Sequence, residues 1–452
     1  METLQAGLDA AKILHERGQV NDAIEAYDKL LNRSFGDPAV LFYMGTALFQ
    51  QGRYGLAASL LKSVVEEKPK MQSAYQNLGN CFKMALDYKG AAEVYEMGLK
   101  LGDESQLFCC MGSLNINVGS PEKALEWYKK GLKLDPNNDI IKYNIGLAQL
   151  EMGQWDEGFK NYNLGFAGGN RPVRSYAHLP EWDGSPDKTV IVWGEQGIGD
   201  EVMFASILPD MMKISKRVIF DCHPRLVKTM ERSFKIECHG TRKNHHLEWL
   251  PGTDADCHVC ITTLANYFRK KDEDFPGTPY LLPETWPIHG GSKVRVGISW
   301  AGGTQHTRAD LRSIPLEKFL PILQQDCDFY SLQYTPSAAR EVCELEDKTR
   351  IRVKHYPGSV EGHDYDTTVN FVASMDLVIT VCTSIYHVAG ALGVPVWCLT
   401  PSGPAWRYLT KGETSPWYNS AKLFRQAKGE EWETVIKRVS NELNQRLLQS
   451  PK

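Results

Sequence analysis

A carboxylate set directly after a glycine-rich turn is the first group in this chain placed for chemistry. Val190-Ile-Val-Trp193 reads as a buried strand. Gly194, Gly197 and Gly199 then make a tight turn that carries Glu195 and Gln196, and Asp200 opens a segment with apolar residues at helical spacing (Val202, Ala205, Leu208; Met203, Ile207). A strand feeding such a turn and then a helix brings backbone N–H groups close to a guest anion. Asp200 stands at the mouth, where a carboxylate can take a proton from a hydroxyl or can simply cap the helix. Glu195 and Gln196 either shape the turn or touch a substrate.

A second unit of the same kind runs from Leu377 to Leu399: strand, short turn, helix, Gly393, Pro395, strand. Thr383 and Ser384 fall at its helix N-terminus, where hydroxyls and free N–H groups hold a diphosphate or serve as ordinary caps, and His387 lies one turn in. Past the strand ending at Trp300, the run Ala301-Gly-Gly-Thr-Gln-His-Thr-Arg-Ala-Asp-Leu-Arg combines glycines with Arg308 and Arg312, which suits phosphate oxygens. Gln333 ends another strand with an amide able to read a base or ribose. Asp366 precedes a helix and can be its cap alone. Trp406 and Arg407 sit on a late loop, where a tryptophan stacks on a sugar or base or covers a domain edge. Trp300 belongs with this group of possible donor or acceptor contacts.

The elements that must position these residues alternate between short β-branched runs and helical patterns. The runs are Val190–Trp193, Val218–Asp221, His258–Ile261, Val294–Trp300, Phe329–Leu332, Val353–His355, Leu377–Val381 and Val396–Leu399. Such alternation predicts parallel sheets with helices on both faces and ligands at the carboxyl ends of the strands. Pro283–Ser292 reads as a linker, so two facing Rossmann-like lobes are expected, 173–290 and 291–452.

Residues 1–172 have a different texture. Gly18, Gly52, Gly119 and Gly153 share one phase, with Leu86 in the missing place; Gly45, Gly79, Gly112 and Gly146 share a second. Ala23, Ala57, Ala91, Ala124 and Gly158 hold a third, and Tyr27, Leu61, Tyr95, Tyr128 and Tyr162 a fourth. The interval is 34 residues, once or twice 33. Each unit reads as two antiparallel helices, brought close by the small residues, with the aromatic filling the gap between neighbouring pairs. This ladder resembles the tetratricopeptide repeat, in about five units. The resemblance implies a concave superhelical surface that binds a protein or peptide, or a scaffold for assembly, including homo-oligomers.

Composition bounds the remainder. With 42% apolar and 23% charged residues the chain is an ordinary globular protein. A net charge of −4 gives no electrostatic argument for nucleic acid or an anionic membrane. No apolar run is long enough to span a bilayer, and the N-terminus lacks the basic and apolar regions of a signal peptide. Eleven scattered cysteines are an odd number and suit a reduced, cytoplasmic setting. Cys257-His-Val-Cys260 has metal spacing but sits in a strand-like run with no second pair, so it reads as core.

In their order, Trp193-Gly-Glu-Gln-Gly-Ile-Gly-Asp-Glu, Gly297-Ile-Ser-Trp-Ala-Gly, Arg312-Ser-Ile-Pro, Ser331-Leu-Gln and Leu377 through Trp397 resemble the C-terminal half of tetratricopeptide-linked glycosyltransferases, a half similar to the heptosyltransferase type with the two-lobed GT-B fold. The resemblance implies a helical-repeat α-solenoid followed by an α/β GT-B domain. It also implies a nucleotide-sugar donor held mainly by the C-terminal lobe, inversion at the anomeric carbon, no catalytic metal, and no cofactor beyond the donor itself. Asp200 aligns with the family's proposed base. The family usually has Asp-Thr where this chain has Cys382-Thr383, a departure that bears on donor binding. Three readings stay open: transfer to a protein, transfer to a saccharide or lipopolysaccharide, and a scaffold whose transferase half has lost catalysis.

Overall fold

The computed structural model of the chain describes residues 3–34, 36–169, 171, 176, 179–241, 247–285, 293–303, 309–360 and 364–449. It forms two compact units, Met1–Ala148 and Gln149–Lys452. The first is built from helices α1 (Leu4–Glu16), α2 (Val20–Ser34), α3 (Pro38–Gln50), α4 (Tyr54–Glu67), α5 (Gln72–Met84), α6 (Tyr88–Leu99), α7 (Ser105–Asn117), α8 (Pro121–Leu134) and most of α9 (Asp139–Glu151). The turns after α1, α3, α7 and α9 carry Gly18, Gly52, Gly119 and Gly153, all at positive φ. Leu86 takes the same left-handed conformation after α5, at φ 63. Phases two and four of the repeat meet: a methyl group added at Gly79 would lie 2.3 Å from Tyr95, and one at Gly112 would lie 2.2 Å from Tyr128. Each tyrosine thus packs on the glycine of its own pair, while Tyr95 also joins a core with Leu107 and Met111 of α7. The expected role of the aromatic as a filler between pairs is therefore only half of what it does.

The second unit opens with α10 (Trp155–Asn163) and continues through β1 (Thr189–Trp193), α11 (Ile198–Phe204), α12 (Leu208–Ile214), β2 (Arg217–Asp221), α13 (Val227–Phe234), β3 (Glu237–His239), β4 (Cys257–Cys260) and α14 (Ala265–Phe268). Then come β5 (Val294–Ser299), α15 (Leu320–Leu323), β6 (Cys327–Ser331), α16 (Ala338–Thr349), α17 (Tyr365–Ala373), β7 (Leu377–Val381), α18 (Ser384–Leu392), β8 (Val396–Thr400), β9 (Ala421–Arg425) and α19 (Trp432–Gln449). Two parallel sheets result, ordered β3-β2-β1-β4 and β6-β5-β7-β8-β9. Strand order reverses at β1 and at β5, and crevices at such points, beyond the carboxyl ends, are where open α/β sheets bind ligands. The second sheet is covered by Val435, Ile436, Val439 and Leu443 of α19, packed with Ile298, Ile379, Leu399 and Phe424.

Three expectations are corrected. Val353–His355 is not a strand and makes one bridge, Tyr330 to Lys354. β3 and β9 were not expected. The break between compact units falls inside α9, ahead of the boundary expected at 172. The physical reason is α10, whose aromatic face packs within the second unit. The Trp155 indole donates to Asp272 at 2.7 Å and its ring lies 4.7 Å from Phe275. Phe159 meets Phe204 and Trp406 at 6.3 and 5.9 Å.

Candidate functional site

Both reversal points open onto one cavity of about 860 Å³. The turn after β1 supplies Gln196, Gly197, Gly199 and Asp200; the segment after β5 supplies Gly303 and Arg312; the end of β7 and start of α18 supply Cys382, Thr383, Ser384 and His387. Arg225, Tyr334, Tyr365, Thr368, Arg407 and Tyr408 add further polar groups to the wall. Local structure explains each placement. Gly194 passes over the buried Glu201, whose carboxylate would lie 2.3 Å from an added methyl and itself accepts the His223 N–H at 2.7 Å. A methyl at Gly199 would lie 3.1 Å from the His387 ring and 3.2 Å from Ser384 Cα, so this glycine lets the first turn of α11 sit against the start of α18. Gly303, at φ 87, lies directly against the Arg312 guanidinium, which donates to the Cys382 carbonyl at 3.2 Å.

Asp200 is not the cap of its helix; that position belongs to Gly197. Its Oδ1 instead accepts from Arg407 Nε and pairs with Arg407 Nη2, a guanidinium carried on the loop after β8. Thr383 caps α18, accepting from the Ile385 N–H at 3.3 Å, and Ser384 is its first residue. His387 shares a hydrogen bond with the Tyr418 hydroxyl at 3.0 Å. Burial, with Arg407 and Arg312 nearby, pulls its imidazole down to about 3, so it stays neutral at ordinary pH. Three arginines therefore face one carboxylate on the described wall, a surplus of positive charge suited to an anion.

Other expected contacts lie elsewhere. Gln333 is fully buried and its amide is used internally. Oε1 accepts from Ser299, Trp300 N and Ala301 N, and Nε2 donates to the Ala301 carbonyl at 2.8 Å. It shapes the turn after β5 and is not turned toward a base or ribose. Trp300 is buried with its indole N–H on Glu341 at 2.6 Å, and Trp406 is buried among Phe159, Tyr162, Phe204 and Trp417. Neither has a ring face free to stack on a ligand. Glu195 points inward to Arg171, which donates at 2.6 Å, and it accepts from the Gln196 amide at 2.9 Å. Of that pair only Gln196 reaches the cavity. Arg308 lies outside the described residues. Sequence reasoning missed Arg225 and Tyr334, and the signal for both was a polar residue just past the carboxyl end of a strand. Arg171 had no such signal, because its partners come from three separate segments, at Tyr162 and Asn163, at Glu195 and at Thr262.

Cys382, the residue at which the sequence departs from the Asp-Thr pair expected from the resemblance, lies just past the end of β7. Its sulfur is buried 3.9 Å from Cys398. Burial pushes the thiol up most strongly, but the Cys398 thiol, Arg312, Tyr408 and Arg425 together leave Cys382 below its ordinary value, while burial drives Cys398 well above.

The tetratricopeptide repeat family matches residues 8–72 and 42–105, and the TPR repeat matches 119–153. Tetratricopeptide repeats are present. Protein FlbA of Caulobacter vibrioides is similar over 433 residues at 24% identity, covering 88% of this chain and 72% of its own. The human protein O-mannosyl-transferase TMTC3 is 28% identical over 120 residues, 24% of this chain and 13% of that relative. BBSome complex member bbs-4 of Caenorhabditis elegans is 26% identical over 160 residues, and the chain spans 34% of its length. Among solved structures, the thermophilic TPR protein TTC0263 of Thermus thermophilus aligns at 18% identity and TM-score 0.35, covering 37% of this chain and 92% of that one. Among the described residues no helix is long and apolar enough to cross a membrane.

Proposed function

We propose that the chain is a glycosyltransferase with two Rossmann-like lobes in the GT-B arrangement, moving a sugar from a nucleotide-sugar donor to an acceptor hydroxyl on a protein that the repeats bind. The observation that carries this reading is the meeting of Asp200 with Arg312, Arg407 and the start of α18 in one cavity at the carboxyl ends of two parallel sheets. The donor diphosphate lies at Thr383 and Ser384, where the end of α18 offers N–H groups, with Arg312 alongside. Asp200 takes the acceptor proton; the acceptor oxygen attacks the anomeric carbon and the diphosphate leaves from the opposite face. Negative charge grows on the leaving group, and preorganised donors aimed at it lower the barrier. The short likeness to a protein O-mannosyl-transferase is compatible with this and extends no further than the quarter of the chain it covers.

The test is transfer from nucleotide-sugar donors to a peptide library, in the intact protein and in Asp200→Ala. Transfer by the intact chain, lost in the variant while nucleotide binding persists, supports the reading; absence of transfer with every donor contradicts it. A scaffold without catalysis is the second reading, and Cys382 favours it, since a thiol turned to Cys398 does not replace a carboxylate at the donor site.

A further inference from the structure

Asp200 and Arg407 come from different sheets' segments and hold each other inside the cavity. Both side chains are 18% exposed, so the pair is shielded yet open to the cavity. Arg407 is anchored from behind: its neighbour Trp406 is locked in an aromatic cluster, and the guanidinium lies 5.0 Å from that indole ring. Asp200 is the only carboxylate on the described wall. Through Gly199 it sits beside the start of α18, the place where an anion would be seated. A diphosphate there would face the Asp200 carboxylate, and both would seek the same guanidinium.

We propose that Arg407 is an exchangeable partner. It holds Asp200 when the cavity is empty and passes to the diphosphate of the bound ligand, which releases the carboxylate to accept a proton. This rests on the nucleotide-sugar reading above and deepens it. The base is masked until the donor is present, so donor binds before acceptor. An arginine suits the exchange: its planar fork pairs equally with carboxylate and phosphate, and its long stem swings while the backbone stays anchored.

Competition has a thermodynamic signature that needs no turnover. Asp200→Asn keeps the shape and removes the competing charge, so ligand affinity should rise. Simple relief of charge repulsion would raise it as well, and a double-mutant cycle with Arg407→Gln separates the two. Calorimetric titration with inorganic pyrophosphate and with nucleoside diphosphates, on the full chain and the three variants, is the experiment; thermal melts verify that each is folded. The expected result is about tenfold tighter binding in Asp200→Asn, a gain absent when Arg407 is Gln. Equal tightening with and without Arg407 overturns it in favour of repulsion. Unchanged or weaker binding in Asp200→Asn overturns it in favour of a fixed pair. Pyrophosphate binding with the expected cycle, but no nucleoside diphosphate binding, retains the exchange and removes the nucleotide reading. No binding by any ligand removes both.

Discussion

At the scale of single residues, charge and hydrogen bonding at the cavity decide what the molecule can do. Asp200→Ala, which also frees Arg407, is expected to raise nucleotide affinity and to lower transfer by roughly 10²–10⁴-fold, the usual contribution of a positioned base. Single-turnover assays alongside calorimetry check it. His387 gives a pH prediction with a definite sign. Its folded value, about 3, lies below the unfolded value near 6.5, so the unfolded chain binds the extra proton and stability falls as pH drops from 6.5 toward 3. His387→Gln is expected to flatten the stability slope in that window by up to one proton, about 1.4 kcal/mol per pH unit. Urea midpoints between pH 4 and 7.5 read the slope independently of any packing offset. Asp200, Thr383 and Ser384 were legible because each follows a strand by a few residues, and Arg312 because it closes a run past β5 that combines glycines with arginine. Gln333, Trp300 and Trp406 satisfied the same rule but were turned inward, since an amide or indole that finds buried partners is better satisfied there. Sequence position names the end of a strand but not the direction a side chain takes from it.

Among elements, the helical pairs rest on glycine–aromatic contact. Gly79→Ala would drive a methyl group to 2.3 Å from Tyr95 Cε1, and a cost of about 1–3 kcal/mol is expected. Leu86→Gly is the converse. A leucine at φ 63 carries a steric penalty that glycine lacks, so the substitution should stabilise by about 1 kcal/mol. Chemical denaturation of both variants checks the two signs. These features were legible because four phases of the repeat agree. Most strands of the second unit were legible from β-branched runs. β3 is Glu237-Cys-His, three residues with no β-branched side chain, and β9 is Ala-Lys-Leu-Phe-Arg, which mixes charge with apolar residues. Both are edge strands completed by pairing with β2 and β8, which local sequence does not display. Val353–His355 has strand composition but gains only one bridge.

Over the whole molecule, the sequence marks a change from repeats to α/β texture, while the physical break lies earlier because α10 lends its aromatic face to the second unit. Trp155→Ala removes an indole that is 2% exposed, bonded to Asp272 and packed on Phe275; a loss of about 3–5 kcal/mol is expected. Hydrogen exchange should show that loss in the sheets of Gln149–Lys452, with α1–α8 unchanged. Acceleration in α1–α8 would place α10 with the repeats instead. The central claim, that the cavity holds a nucleotide through its arginines, is tested most directly by calorimetric titration of the intact protein with UDP, GDP, ADP, CMP and CDP, repeated on Arg312→Ala. Saturable binding of one nucleotide with Kd on the order of micromolar, weakened at least about tenfold in the variant, is the expected result. Absence of binding across the panel, or binding indifferent to Arg312, would contradict it.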